Sequence, residues 1–135
     1  FGDPETQPIM HRLKDDLGAL CLAVLDGRLD EMSADWDPRP AVGVVLAAGG
    51  YPGSYEKGLE IKGLNTEWPA TTKVFHAGTQ QAGDNVVTQG GRVLCVSALG
   101  DSIADAITAA YAGVDQISWE GMVCRRDIGW RAIDR

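Results

Sequence analysis

Apolar residues recur at Ile9, Leu13, Leu17, Leu20, Cys21 and Val24, the spacing of one buried stripe on a helix. The start signal lies just upstream. Asp3 can cap free backbone N–H groups, Pro4 suits the first helical position, and Glu5 complements the positive end of the helix. Gly27 follows as a C-terminal cap. The pattern therefore predicts a helix over 4–26. Pro8 lies in its first two turns, where the missing N–H costs little if the helix begins near Pro4.

The period then changes. After a polar connection over 28–40, closed by Asp37-Pro38-Arg39-Pro40, the run from Ala41 to Ala48 is apolar and rich in Val, as a central strand requires. Gly49-Gly50-Tyr51-Pro52-Gly53 breaks it. Leu59 and Ile61 alternate with Glu60 and Lys62, predicting a short half-buried strand. Further strands are expected over Lys73–Thr79 and Asn85–Gln89, joined by a turn at Gly83-Asp84-Asn85. Gly90-Gly91 precedes a second strongly buried strand, Arg92–Leu99. A helix over 101–117 follows, capped by Asp101 or Ser102, with Ile103, Ile107, Ala110, Tyr111, Val114 and Ile117 inward. Met122–Cys124 reads as a last edge strand. Strands joined by hairpin-like turns, with no βαβ alternation, predict an α+β fold: an antiparallel sheet with one packed helix, preceded by a long N-terminal helix.

Composition narrows the function classes. A chain of 135 residues can bury roughly two-thirds of its unfolded surface without a metal or disulfide staple. The formal charge of −7 weighs against nucleic acid and anionic membrane surfaces as partners. No apolar run approaches the roughly 18 residues that span a bilayer. The start, Phe1-Gly2-Asp3-Pro4, resembles no signal peptide, and without an initial Met it is expected to belong to a fragment. Cys21, Cys95 and Cys124 are widely spaced among apolar residues, as expected of buried, reduced thiols in a cytoplasmic protein rather than zinc ligands.

Few residues present themselves for chemistry. Gly53-Ser54-Tyr55-Glu56-Lys57-Gly58 has the glycine spacing of a phosphate-binding loop, but Leu59-Glu60 stand where Lys and Ser/Thr are needed. The bare backbone of Gly49–Gly53 serves either turn geometry or close approach to a ligand. His11 and His76 have no accompanying nucleophile motif. Asp3 and Glu5 serve either helix capping or an anionic or metal-bearing ligand at a helix start. Arg125, Arg126 and Asp127 form a surface ion-pair group, an interdomain contact or an anion site.

Taken together, several stretches resemble one family. Phe1-Gly2-Asp3-Pro4-Glu5-Thr6-Gln7 is similar to a signature of the phosphoribosylamine–glycine ligases (glycinamide ribonucleotide synthetases) of the ATP-grasp superfamily. Ala48–Gly53 with Tyr55 and Lys57-Gly58, Val74–Thr79, Gly90–Leu94 and Arg125–Arg131 resemble that family's C-terminal domain, in the same order.

The resemblance implies a ligase of de novo purine synthesis that joins glycine to 5-phosphoribosylamine, with ATP cleaved to ADP and phosphate and glycinamide ribonucleotide as product. It implies a division into 1–27, the terminal helix of an ATP-grasp domain, a connection over 28–40, and a C-terminal domain over 41–135. It implies substrate contacts at Gly2, Asp3, Pro4 and Glu5, and at Gly49, Gly50 and Tyr51, with no catalytic residue and no metal ligand in this chain. ATP and magnesium or manganese would be held by the missing ATP-grasp and N-terminal domains. The chain alone is thus expected to be inactive and to expose a docking face. The alternative is a non-catalytic binding module of the biotinyl- or lipoyl-carrier kind; it lacks the needed lysine, since none occupies the Gly83–Asn85 turn and Lys73 lies in a strand.

Overall fold

The computed structural model describes residues 1–133. The chain runs α1 (Thr6–Arg12), α2 (Leu17–Leu25), β1 (Ala41–Ala47), β2 (Thr72–His76), β3 (Thr79–Ala82), β4 (Asn85–Thr88), β5 (Arg92–Leu99) and α3 (Ile103–Val114), with single 3₁₀ turns at Leu29–Glu31 and Trp130–Ala132. The α+β class is as expected, with antiparallel sheets throughout.

The organising unit is a three-stranded sheet with β5 at its centre, between β1 and β2. Val44 faces Val96 and Leu46 faces Leu94 across β1 and β5, while Val74 of β2 pairs with Val96 on the other side. On this face α3 packs through Ala106, Ala110, Gly113 and Val114, all buried. Gly113 is required there, because a Cβ would lie 2.8 Å from Val96 Cγ1. Of the two caps expected, Asp101 or Ser102, Ser102 is the one used, and it forms a capping box: Ser102 accepts from the Asp105 N–H, and Asp105 accepts from the Ser102 N–H. Tyr111 of α3 donates its hydroxyl to the Arg125 carbonyl (2.8 Å) and accepts from the Ile128 N–H (3.0 Å), fastening the final segment to the helix.

The opposite face of the sheet carries α1. A Cβ on Gly43 of β1 would lie 3.2 Å from both Cys95 Sγ and Pro8 Cδ, so the glycine lets the helix approach the strands. His11 is buried here, its Nδ1 3.0 Å from Ser97 Oγ and its ring edge-on to Phe75 at 6.4 Å. The protein is thus three layers, α1, sheet and α3.

Several expectations are revised. The helix over 4–26 is two helices. Leu13 turns extended and bridges Trp36, and Asp16 then caps a new helix by accepting from the Gly18 and Ala19 N–H groups. An aspartate offers the backbone this local alternative more readily than it tolerates a helix interior. Asp3 does not cap α1, whose preceding residue Glu5 makes no side-chain cap either. Gly27 does end α2: at φ 69° it lets Arg28 N–H reach the Ala23 carbonyl and Gly27 N–H the Val24 carbonyl.

With the helix broken, the stripe no longer shares one buried face. Leu17, Cys21 and Val24 are exposed, so Cys21 is not the buried thiol expected; Cys95 is buried and Cys124 half-buried. Leu59–Ile61 keeps its alternating burial but runs beside β4 with a single bridge, Glu60 to Val87. Met122–Cys124 is reduced to one bridge, Val123 to Ala47. The strand over Lys73–Thr79 is divided at Gly78, which packs backbone to backbone against Gly90 and the Arg92 carbonyl.

Candidate functional site

Two loops carry the residues singled out in the sequence, and both are tied to the start of β5. The opening loop is held by Asp3. Its Oδ1 accepts from Gln7 Nε2 at 2.8 Å, and its Oδ2 lies 2.9 Å from Arg92 Nε in an ion pair. Gly2 is exposed and its carbonyl accepts from the Thr6 N–H, closing the turn that leads into α1. Pro4 is exposed and follows Asp3 through a cis peptide bond. Glu5 is exposed and lines an open cleft of about 580 Å³ with Pro8, Ile9, Arg12, Trp36, Pro40 and Ala41.

The second loop follows β1. The Ala48 N–H donates to the Gly91 carbonyl (2.8 Å), and Tyr51 lies over Gly91, where a Cβ would stand 2.2 Å from its ring Cδ2. Tyr51 leans on Tyr55, with ring centroids 6.4 Å apart. The glycines of this loop are accounted for within the chain. A Cβ on Gly49 would lie 2.6 Å from the Gly121 carbonyl oxygen, and Gly50 combines φ 93° with 2.2 Å to the Ser54 carbonyl oxygen. Close packing against Gly121 therefore demands the first and turn geometry the second, whatever else the loop contacts.

Gly2–Glu5 and Gly49–Tyr51 thus converge through neighbouring residues, Arg92 and Gly91. Arg92 was not singled out from sequence. The glycine pair before it marked a turn into a strand, but its partner Asp3 is far away along the chain and no periodicity announces that contact. Beneath the loops Cys95 is buried, and burial, with the Asp3 charge second, pushes its thiol up to about 12. It is therefore an inert packing residue rather than a nucleophile.

The other candidates stand apart. Burial, with Lys73 next, lowers the pKa of His11; Asp37 opposes this and Arg39 adds to it. His76 is exposed, with Nδ1 3.0 Å from Thr79 Oγ1. The C-terminal charges pair internally: Arg125 with Asp127, and Arg126 with Asp115 at 2.7 Å while lying over the Tyr111 ring. Hydrogen bonding to its partner Arg125 lowers the pKa of Asp127. Gly53–Gly58 forms no phosphate cradle followed by a helix; it is an irregular loop.

Fold and candidate residues define a class of protein: an α+β domain whose opening loop is tied through Asp3 to the central strand, beside a helix whose apolar side chains face solvent. The comparisons narrow this class. The family described as "Phosphoribosylglycinamide synthetase, C domain" matches residues 41–131, and the chain belongs to that family. Over all 135 residues it is 62% identical to the phosphoribosylamine–glycine ligase of Vibrio cholerae and, over 136 aligned positions, 59% identical to that of Escherichia coli K12. It spans 32% of the length of each. A solved structure of the phosphoribosylamine–glycine ligase of Thermotoga maritima is similar over 94% of this chain and 31% of that one, with 34% identity and a TM-score of 0.71.

Proposed function

We propose that this chain is the C-terminal portion of a ligase that joins glycine to 5-phosphoribosylamine at the expense of ATP, releasing ADP, phosphate and glycinamide ribonucleotide. The observation that carries the proposal is the identity of 62% along the whole chain to a ligase of that name, which extends to about three times its length. Within that enzyme residues 1–27 would end the ATP-grasp domain, 28–40 would connect it and 41–135 would form the C-terminal domain; the family match, which begins at residue 41, supports the last of these boundaries.

In the proposed reaction the glycine carboxylate is phosphorylated and the amine of phosphoribosylamine attacks the acyl phosphate. Gly2–Glu5 and Gly49–Tyr51 would form the substrate-facing edge contributed by this chain. Their attachment to the consecutive residues Gly91 and Arg92, where β5 begins, supports treating them as one surface. ATP and its magnesium or manganese belong to the remainder of the enzyme. Among the described residues no group of three or more His, Cys, Asp or Glu side chains is arranged to hold a metal ion. A cytoplasmic setting accords with this biosynthetic role; among the described residues no helix is long and apolar enough to cross a membrane.

The partner of the chain is then the rest of the same enzyme. Of the nine residues of α2 only Ala23 is buried, while Leu22 and Leu25 are 62% and 82% exposed, and Leu29 and Trp36 are exposed too. Large apolar side chains left exposed in this number are what a contact face presents. The test is a full-length polypeptide carrying this chain at its C-terminal end, supplied with ATP, glycine and phosphoribosylamine and assayed by mass spectrometry for glycinamide ribonucleotide. Product that depends on all three substrates is expected; its absence overturns the proposal.

A further inference from the structure

We infer that Arg92 is a positioning residue of the ligase site, acting through Asp3; this rests on the function proposed above. Asp3 lies on the opening loop, where its only side-chain partner from its own sequence neighbourhood among the described residues is Gln7, which holds one carboxylate oxygen and leaves the other to a distant group. Arg92 is that group. It is the first residue of the central strand, and Val93 through Leu99 behind it are all buried, so its backbone is anchored in the most rigid part of the fold. Its Nε lies 2.9 Å from Asp3 Oδ2 while Gln7 Nε2 holds Oδ1, so both oxygens of the carboxylate are engaged from different sides.

The arrangement is not one that stability alone would favour. To present its N–H₂ to Asp3, Gln7 leaves its own Oε1 buried without a partner, and buried polar atoms in folded proteins are normally satisfied. A half-exposed ion pair in turn returns little stability. What the arrangement gains is a fixed carboxylate on the loop expected to face substrate. Functional groups act at full effect only when held by neighbours seated on rigid elements. Arg92 also joins the loops, because Gly91 before it carries the Tyr51 ring.

The experiment is a double-mutant cycle in the full-length ligase with Arg92→Gln, Asp3→Asn and the pair. R92Q is expected to lower kcat/KM for glycine or phosphoribosylamine by about 10- to 100-fold, the scale of a misplaced contact, while KM for ATP is unchanged. If Arg92 acts through Asp3, adding R92Q to D3N costs nothing further. Should R92Q fail to fold, the cycle is read with Arg92→Lys, which keeps the charge without the planar fork and loses a smaller part of the activity. Activity of R92Q within about twofold of wild type, or losses that simply add in the double variant, would overturn the inference while leaving the ligase assignment intact. A wild-type enzyme without the reaction would overturn both.

Discussion

Replacing Gly50 by alanine isolates how the second loop is held. Two costs arise together. At φ 93° an L-residue sits in a region only glycine occupies freely, at about 1–3 kcal/mol. The new Cβ also stands 2.2 Å from the Ser54 carbonyl oxygen, a backbone atom that cannot rotate away. Forced backbone displacement of this kind adds about 1–3 kcal/mol, and the two costs sum to about 2–6 kcal/mol. That is a large share of the roughly 5–15 kcal/mol by which domains are stable.

Gly83 is the control. At φ 61° it meets nothing within 4 Å, so Gly83→Ala incurs only the conformational cost. Urea denaturation of the 135-residue chain, followed by far-ultraviolet circular dichroism, measures both variants. G50A should lower the midpoint well below G83A with an unchanged slope. Equal midpoints would show that Ser54 yields without cost, and that the loop is not the tight turn described.

Three further outcomes follow from named contacts. The folded His11 titrates below its unfolded value because of burial and Lys73, so its contribution is intact above about pH 6.5 and is lost as pH falls toward the folded pKa; stability measured from pH 7 to 5 should decline, and His11→Gln should flatten that decline. Ser102→Ala removes the capping-box acceptor of α3 and should cost about 0.5–2 kcal/mol in the same denaturation assay. Thiol titration of the native chain with an aromatic disulfide should modify exposed Cys21 first and leave Cys95 unmodified until unfolding; early reaction of Cys95 would contradict its burial.

The sequence exposed the parts of the fold governed by near neighbours. β5 and its boundaries were readable because seven successive buried residues stand between two turn signals. A cap at Asp101 or Ser102 and the Gly27 cap were readable because cap chemistry is local, though the choice of Ser102 and its pairing with Asp105 were not. The break after Arg12 was hidden because the apolar spacing continues across it. What ends α1 is the pairing of Leu13 with Trp36, twenty-three positions on, and the rival cap at Asp16. Of the candidate site, the two loops were legible as motifs, but their convergence was not. It depends on Asp3 reaching Arg92 and on Tyr51 covering Gly91, contacts set by the order of strands in the sheet. The exposed side of α2 was obscured for the same reason: its apolar residues look like core until the break turns them outward.

The central question is whether this domain contributes a rim to a centre completed by other parts of a ligase. The direct measurement is ADP formation by the purified 135-residue chain and, in parallel, by the full-length enzyme, each with ATP, glycine and phosphoribosylamine. Turnover by the full-length protein and none by the chain is the predicted result. Sustained glycine-dependent turnover by the chain alone would contradict it.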